Sequence, residues 1–195
     1  MLTQALIFVL ETFFGLFALC LLLRFFLQLM RAPARNPLSY FLGALTDFIV
    51  VPVRRTVPGV GGLDLSTLIL SWLCEFVLIA LVRWVQGADF GPAVGTVLVV
   101  LGLLAAVRLV RWLIYVVMVA VIAQALLTWV SPYSPAMPVL NSLARPFLRI
   151  FQRRIPPIGN VDLSPLFVLV VCQLLLILVV AWLEGALIAA LRPSF

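Results

Sequence analysis

Four long apolar runs and two shorter stretches of mixed polarity divide the chain. The apolar runs cover about residues 2–30, 65–85, 92–130 and 166–183. A helix crosses the hydrocarbon core of a bilayer with roughly 20 apolar residues, so each run is long enough to span. Between the first two, residues 37–51 (PLSYFLGALTDFIVV) sort with a helical period. Ser39, Gly43, Thr46 and Asp47 fall on one side, and Leu38, Phe41, Leu42, Leu45 and Phe48 on the other. This predicts an amphipathic helix in the plane of the interface, or alternatively a short re-entrant or buried helix. Residues 138–152 repeat the pattern with a more polar stripe of Asn141, Ser142, Arg145, Arg149 and Gln152. Pro146 is expected to break that helix, because proline removes a backbone donor and clashes one turn back. The third apolar run would be about 58 Å long as one helix, roughly twice the hydrocarbon thickness. A break near Gly102, or an extra partial span at 92–107, is therefore expected.

The chain repeats itself. At an offset of 98 residues Arg55, Pro58, Gly61, Asp64, Leu65 and Ser66 meet Arg153, Pro156, Gly159, Asp162, Leu163 and Ser164, and Cys74, Trp84 and Gly87 meet Cys172, Trp182 and Gly185. Apolar matches arise often by chance in such a chain, so the shared RxxPxxGxxDLS motif carries the inference. The reading is an all-α, polytopic helical membrane protein of two tandem pseudo-equivalent units, each a helix, an amphipathic interfacial segment and a second helix. The units are placed at 1–87 and 100–195, joined by 88–99, with about four transmembrane helices.

Composition agrees with the membrane reading: 65% of residues are hydrophobic and only 10% charged, far fewer charges than a soluble domain carries. The net charge of +6 comes entirely from arginine on the basic side, clustered between apolar runs. That is the signature of positive-inside topology rather than of nucleic-acid binding. The first interhelical segment holds Arg31, Arg35, Arg54 and Arg55, the second Arg145, Arg149, Arg153 and Arg154. Four spans put both segments on one side, whereas five would leave one arginine-rich loop outside. The expected arrangement is parallel repeats, both termini outside and both motifs facing the cytoplasm. The first run carries Glu11 and lacks a basic leader, so it reads as a transmembrane helix rather than a signal peptide. There is no histidine, and Cys20, Cys74 and Cys172 lie in apolar runs without metal-binding spacing, so no metal or other cofactor is expected.

The motif has the parts of a rigid interfacial turn. Pro58 and Pro156 restrict the backbone, Gly61 and Gly159 permit unusual conformations, and Asp64 or Asp162 can pair with an arginine while helping Ser66 or Ser164 cap the next helix. The arginine pairs Arg54–Arg55 and Arg153–Arg154 also make it a candidate contact for anionic lipid or a partner protein. A second constellation is intramembrane. Glu11 and Glu75 fall at similar depth if their helices run oppositely, and the second unit supplies Arg108 and Arg111. Ionisable groups inside a membrane need partners, so Glu11 or Glu75 is expected to pair with Arg108 or Arg111 between units. Alternatively these groups line a proton or ion path. No phosphate loop, GxSxG turn, HExxH helix or paired catalytic carboxylates appear, and the expectation is a protein that is not an enzyme.

Two copies of RxxPxxGxxDLS, each after an amphipathic segment and before an apolar helix, resemble the YggT family of bacterial integral membrane proteins across almost the whole chain. The family pattern runs roughly T(E/D)PxxxPxRRxxPxxGxxDxS. The first unit has Thr46, Asp47 and Pro52 but Phe48 where proline is usual; the second has Pro146 but Ala144, Arg145 and Ile150. Plastid relatives are associated with thylakoid biogenesis and cytochrome b6 maturation, some Gram-positive relatives lie near division genes, and members have been linked to osmotic or potassium tolerance. The resemblance implies a multi-pass protein of the bacterial inner membrane that acts as a scaffold or assembly factor. Its expected partners are membrane lipids, anionic ones included, and other membrane proteins or a second copy. The alternative it implies is a transporter or channel component in ion or osmotic balance. It carries over no catalytic residues.

Overall fold

The computed structural model describes residues 1–57, 59, 63–88, 94–154 and 162–191. The described elements are helices α1 (Leu2–Leu29), α2 (Pro37–Thr56), α3 (Leu65–Val85), α4 (Val94–Val130), α5 (Met137–Gln152) and α6 (Ser164–Leu174). From α6 the chain continues through a π-helical stretch, Leu175–Val180, into α7 (Ala181–Ala190). Four helices are long and apolar enough to cross a membrane: Leu2–Leu29, Leu65–Val85, Val94–Val130 and Ser164–Ala190.

Helix ends follow local chemistry. The α1 helix stops where Arg31 takes φ 52°. Its amide donates to the carbonyl of Gln28 at 3.0 Å and that of Ala32 to Leu27 at 2.9 Å, a Schellman closure made without glycine. The same closure ends α3 with Gly87 at φ 80°, where the positive φ costs nothing. Asn36 then starts α2, its side chain accepting from the Ser39 amide at 2.8 Å, with Pro37 at the first helical position, where a missing N–H is harmless.

α1 and α3 pack antiparallel, stitched by hydrogen bonds that small polar side chains send to the neighbouring backbone. Ser71 Oγ donates to the Ala18 carbonyl at 3.3 Å and Cys74 Sγ to that of Phe14 at 3.4 Å. Such groups let helices approach closely in an environment that offers no water. The largest cluster of buried residues joins both units, with Phe26 and Leu27 of α1, Leu42 of α2, Val117 and Val121 of α4, Leu143 and Leu148 of α5, and Val168 and Cys172 of α6. The C-terminal end of α1 thus meets the C-terminal half of α4, and α2 and α5 lie at the same end of the bundle. Two units in parallel orientation follow.

Three expectations are corrected. No break or separate partial span occupies the described part of 92–107, residues 94–107: α4 is a single helix of 37 residues, starting inside the expected connector 88–99 and about 56 Å long. Gly102 serves packing instead. Trp72 of α3 lies over it, its Nε1 donating to the Gly102 carbonyl at 2.9 Å, and a Cβ there would meet the indole ring at 3.2 Å. Pro146 does not divide α5, which is continuous through it. It sits on the exposed side, where only the Ser142 carbonyl loses its helical donor. The last span does not end near Leu183 but continues to Ala190, because Glu184 is neutralised rather than expelled.

α2 and α5 differ in the chemistry they turn outward. α2 buries Leu42, Thr46 and Val50 and exposes Phe41, Leu45 and Phe48. α5 buries Val139, Leu143, Ala144 and Leu148 and exposes Arg145 and Arg149.

Candidate functional site

The two copies of the motif are built differently. In the first, Arg54 at the end of α2 grips Asp64 before α3: Nε donates to Oδ2 at 2.9 Å and a terminal nitrogen makes a second bond to the same oxygen. Asp64 is buried, its side chain 6% exposed. Ser66 Oγ donates to the Val57 carbonyl at 2.7 Å, so one ion pair and one hydroxyl clamp the joint. A Cβ on Gly59 would stand 2.9 Å from the Leu63 carbonyl oxygen, and only glycine tolerates that close backbone approach. In the second copy Gln152, equivalent to Arg54, donates to Asp162 Oδ2 at 2.8 Å, and the Ser164 amide donates to Oδ1 at 2.8 Å. Asp162, just before the N-cap Leu163, thereby satisfies the first amide of α6, whereas Asp64, itself at the N-cap of α3, makes no side-chain cap bond. Pro58, Gly61, Pro156 and Gly159 lie outside the described residues.

The aspartate's partner is therefore not the arginine of RxxP. Arg55, Arg153 and Arg154 are exposed, and the bonds fall to the residue one place earlier, which the helix directs toward α3 or α6. Burial alone would raise the Asp162 carboxyl, but hydrogen bonds from Ser164 and Gln152 outweigh it and hold the group below its ordinary value. A depressed carboxyl stabilises the fold above the ordinary aspartate range and loses that contribution as pH falls through the lowered value. Asp162→Asn is accordingly expected to lower the melting temperature at neutral pH, with the difference from wild type vanishing in acid, as a pH series of thermal melts in detergent will read.

A second site lies within the membrane-spanning helices. Glu75 of α3 is 1% exposed. Its Oε1 accepts from Trp112 Nε1 at 2.8 Å, and its Oε2 lies 3.9 Å from an Arg108 terminal nitrogen with no hydrogen-bond partner of its own. Glu11, Glu75, Arg108, Arg111 and Trp112 line one cleft of about 390 Å³ between α1, α3 and α4. Arg111 makes its ion pair elsewhere, with Glu184 of α7. Glu11 lines the cleft but makes no ion pair with a described residue. Of the four groups singled out by sequence, Glu75 and Arg108 come together directly, Glu11 faces them across the cleft, and Arg111 is held by an acid the sequence reading passed over.

The π segment bears on that pair. Ser164, Val168, Cys172, Leu176, Val180 and Glu184 are the buried positions of the last span, each four residues from the next. A four-residue step overshoots an α-helical turn by about 40°, so on an unbroken α-helix this stripe would wind away from its neighbours. The wider turn over Leu175–Val180 keeps it aligned and delivers Glu184 to Arg111.

A third polar contact joins α1 to α2. Arg24 donates to Asp47 Oδ1 at 2.6 Å and to Thr46 Oγ1 at 2.7 Å, which fixes the rotation of α2 with Thr46 buried and Phe41, Leu45 and Phe48 outward. Among the described residues no group of three or more metal-ligating side chains occurs, and the cysteines Cys20, Cys74 and Cys172 are free.

Each unit matches the same family model, described as CCB3/YggT, over residues 3–85 and again over 103–183. The chain belongs to the CCB3/YggT family. The first YggT match covers α1 to α3; the second starts after Gly102 and omits the first turns of α4. Relatives include Uncharacterized protein PA0392 of Pseudomonas aeruginosa, 36% identical over 181 residues, 92% of this chain and 90% of that one. A Vibrio alginolyticus protein encoded in the proC 3' region is 33% identical over 170 residues, 85% and 88% of the two chains. Uncharacterized protein YggT of Escherichia coli K12 is 32% identical over 164 residues, 84% and 82%. No solved structure matches this YggT-family chain. Four span-capable helices and the family together make it a multi-pass membrane protein.

Proposed function

We propose that this YggT-family protein is a non-catalytic scaffold or assembly factor of the bacterial inner membrane, working through the basic end of its bundle, which faces the cytoplasm. The observation that carries this reading is the division of labour within the motif. Asp64, Ser66 and Asp162 are committed to holding the chain's own joints, while Arg55, Arg153 and Arg154 stand exposed at the same end. Residues that only shape a turn and cations that point away from it suit a docking face for membrane partners better than a reaction centre. The positive-inside rule places that face in the cytoplasm.

The test is the size of the native complex. Wild type in mild detergent is expected to migrate with partner membrane proteins, and the triple variant Arg55→Gln, Arg153→Gln, Arg154→Gln as the free chain. Identical migration of the two overturns the reading.

One observation favours a second reading as a transporter or channel component in ion balance: a buried carboxylate oxygen without a hydrogen-bond partner lines a cleft in the spanning region. Reconstituted vesicles decide between them. The scaffold reading expects no flux above empty vesicles, and robust flux abolished by Glu75→Gln would replace it with the transport reading.

A further inference from the structure

We propose that the groove between the α1–α2 connection and α5, bounded by Arg145 and Arg149, binds the phosphodiester headgroup of an anionic phospholipid. The groove encloses about 640 Å³ and is lined by Met30, Pro33, Asn141, Ser142, Arg145 and Arg149 together with the prolines Pro138 and Pro146. No acidic side chain lines it. Arg145 and Arg149 lie one turn apart on the exposed side of α5, and neither makes an ion pair with a described residue. Like charges at this spacing repel each other. An anion between them removes the repulsion, and guanidinium groups meet phosphate oxygens with paired, charge-assisted hydrogen bonds.

Comparison of the two units supplies the independent argument. In the first unit two cations of the joint are paired internally, Arg24 with Asp47 and Arg54 with Asp64, while Arg31, Arg35 and Arg55 are exposed. At the equivalent places the second unit has Ile122 for Arg24, Arg145 for Asp47, Arg149 for Val51 and Gln152 for Arg54. It has lost both ion pairs, replaced an acid by a base, and added a second base one turn further on. A helix that only had to pack would be destabilised by these exchanges. A helix whose counter-ion comes from outside the chain would not.

The depth of the groove selects the lipid. α5 starts at Met137, soon after α4 ends at Val130, and its buried side clusters with Phe26 and Leu27 near the end of α1 and Val168 near the start of α6. Its exposed arginines therefore sit at headgroup level, where anionic lipid is concentrated and each basic side chain adds to its attraction. Met30 and Pro33 offer an apolar wall to the lipid's glycerol and first methylenes, and Asn141 and Ser142 a polar floor.

This inference rests on the cytoplasmic basic face of the scaffold reading, but it is scored by a different measurement. Purified full-length protein is titrated with phosphatidylglycerol and, separately, phosphatidylcholine, and bound lipid is counted by native mass spectrometry. Wild type is expected to retain phosphatidylglycerol over phosphatidylcholine. Arg145→Gln with Arg149→Gln is expected to reduce that retention roughly tenfold or more, and Arg83→Gln in the last turn of α3 to leave it unchanged. Ser142→Glu, which adds an acid to the groove without removing an arginine, is expected to weaken retention as well, so the outcome does not hang on the double variant folding. Equal retention of the two lipids, full retention by both groove variants, or equal loss with Arg83→Gln overturns the proposal. So does displacement by inorganic phosphate, which would make the groove a site for a free anion. Lipid loss with native complexes intact, or the reverse, separates failure of the groove from failure of the scaffold.

Discussion

Arg111→Ala is expected to destabilise the protein by about 3 kcal/mol, the low end of the cost of stranding one member of a buried ion pair. The partner left behind is Glu184, 8% exposed, in the last turns of a span. Its Oε1 already lacks a hydrogen-bond partner, so after the substitution the whole carboxylate would be unsatisfied. Protonation or partial unwinding of α7 would relieve it, at the expense of the helix. The low end of the range applies because the Arg111 side chain is itself 35% exposed. Replacing both, Arg111→Met with Glu184→Met, is expected to recover most of the loss, because a matched apolar pair carries no desolvation cost. Thermal melts of wild type, Arg111→Met, Glu184→Met and the double variant in one detergent give the coupling directly. Additive single effects, with no recovery in the double variant, would show that the pair is not an energetic unit.

Gly102→Leu is expected to cost roughly 1–3 kcal/mol, the usual range for overpacking a filled interior. Its Cβ alone would stand 3.2 Å from the Trp72 ring, and the larger side chain has to enter the space where Leu101 and Leu104 already pack with Ile79. Displacing the indole also loses its bond to the Gly102 carbonyl. If the loss comes from that collision, Trp72→Ala in the Gly102→Leu background should be milder than Trp72→Ala in wild type. If Gly102 instead marks a hinge in α4, Gly102→Leu would stiffen the helix and raise the melting temperature.

The same two residues show how far the sequence could be read. Gly102 sits in the middle of a run too long for one span, and a break is the reading that hydrophobic length suggests. What the length argument lacks is the neighbour: Trp72 is thirty positions away, and only the antiparallel packing of α3 on α4 turns a helix breaker into a contact point. Glu184 was passed over for a related reason. It is the last residue of the buried stripe, just past the apolar run that closes near Leu183, and nothing local distinguishes it from the outward acids that close spans; Arg111 and the π turn give it its meaning. The pairing of Glu75 with the second unit's arginines was legible as a need, since an acid that deep requires a partner. Which arginine meets which acid was not.

Amino-acid order by itself determined the class, the four spans and the tandem family repeat, because each of these depends on local hydrophobicity and on identities at a constant offset. It also located the joints, since proline, glycine and aspartate punctuate the chain wherever they occur. Tertiary structure alone decided which charges cancel. Arg24 with Asp47, Arg54 with Asp64 and Arg111 with Glu184 are set by the angular position of each side chain on its helix and by which helix lies opposite. Those are properties of packing that no single segment encodes. The same packing leaves Arg145 and Arg149 without an ion-pair partner among the described residues, and so determines where its surface remains charged.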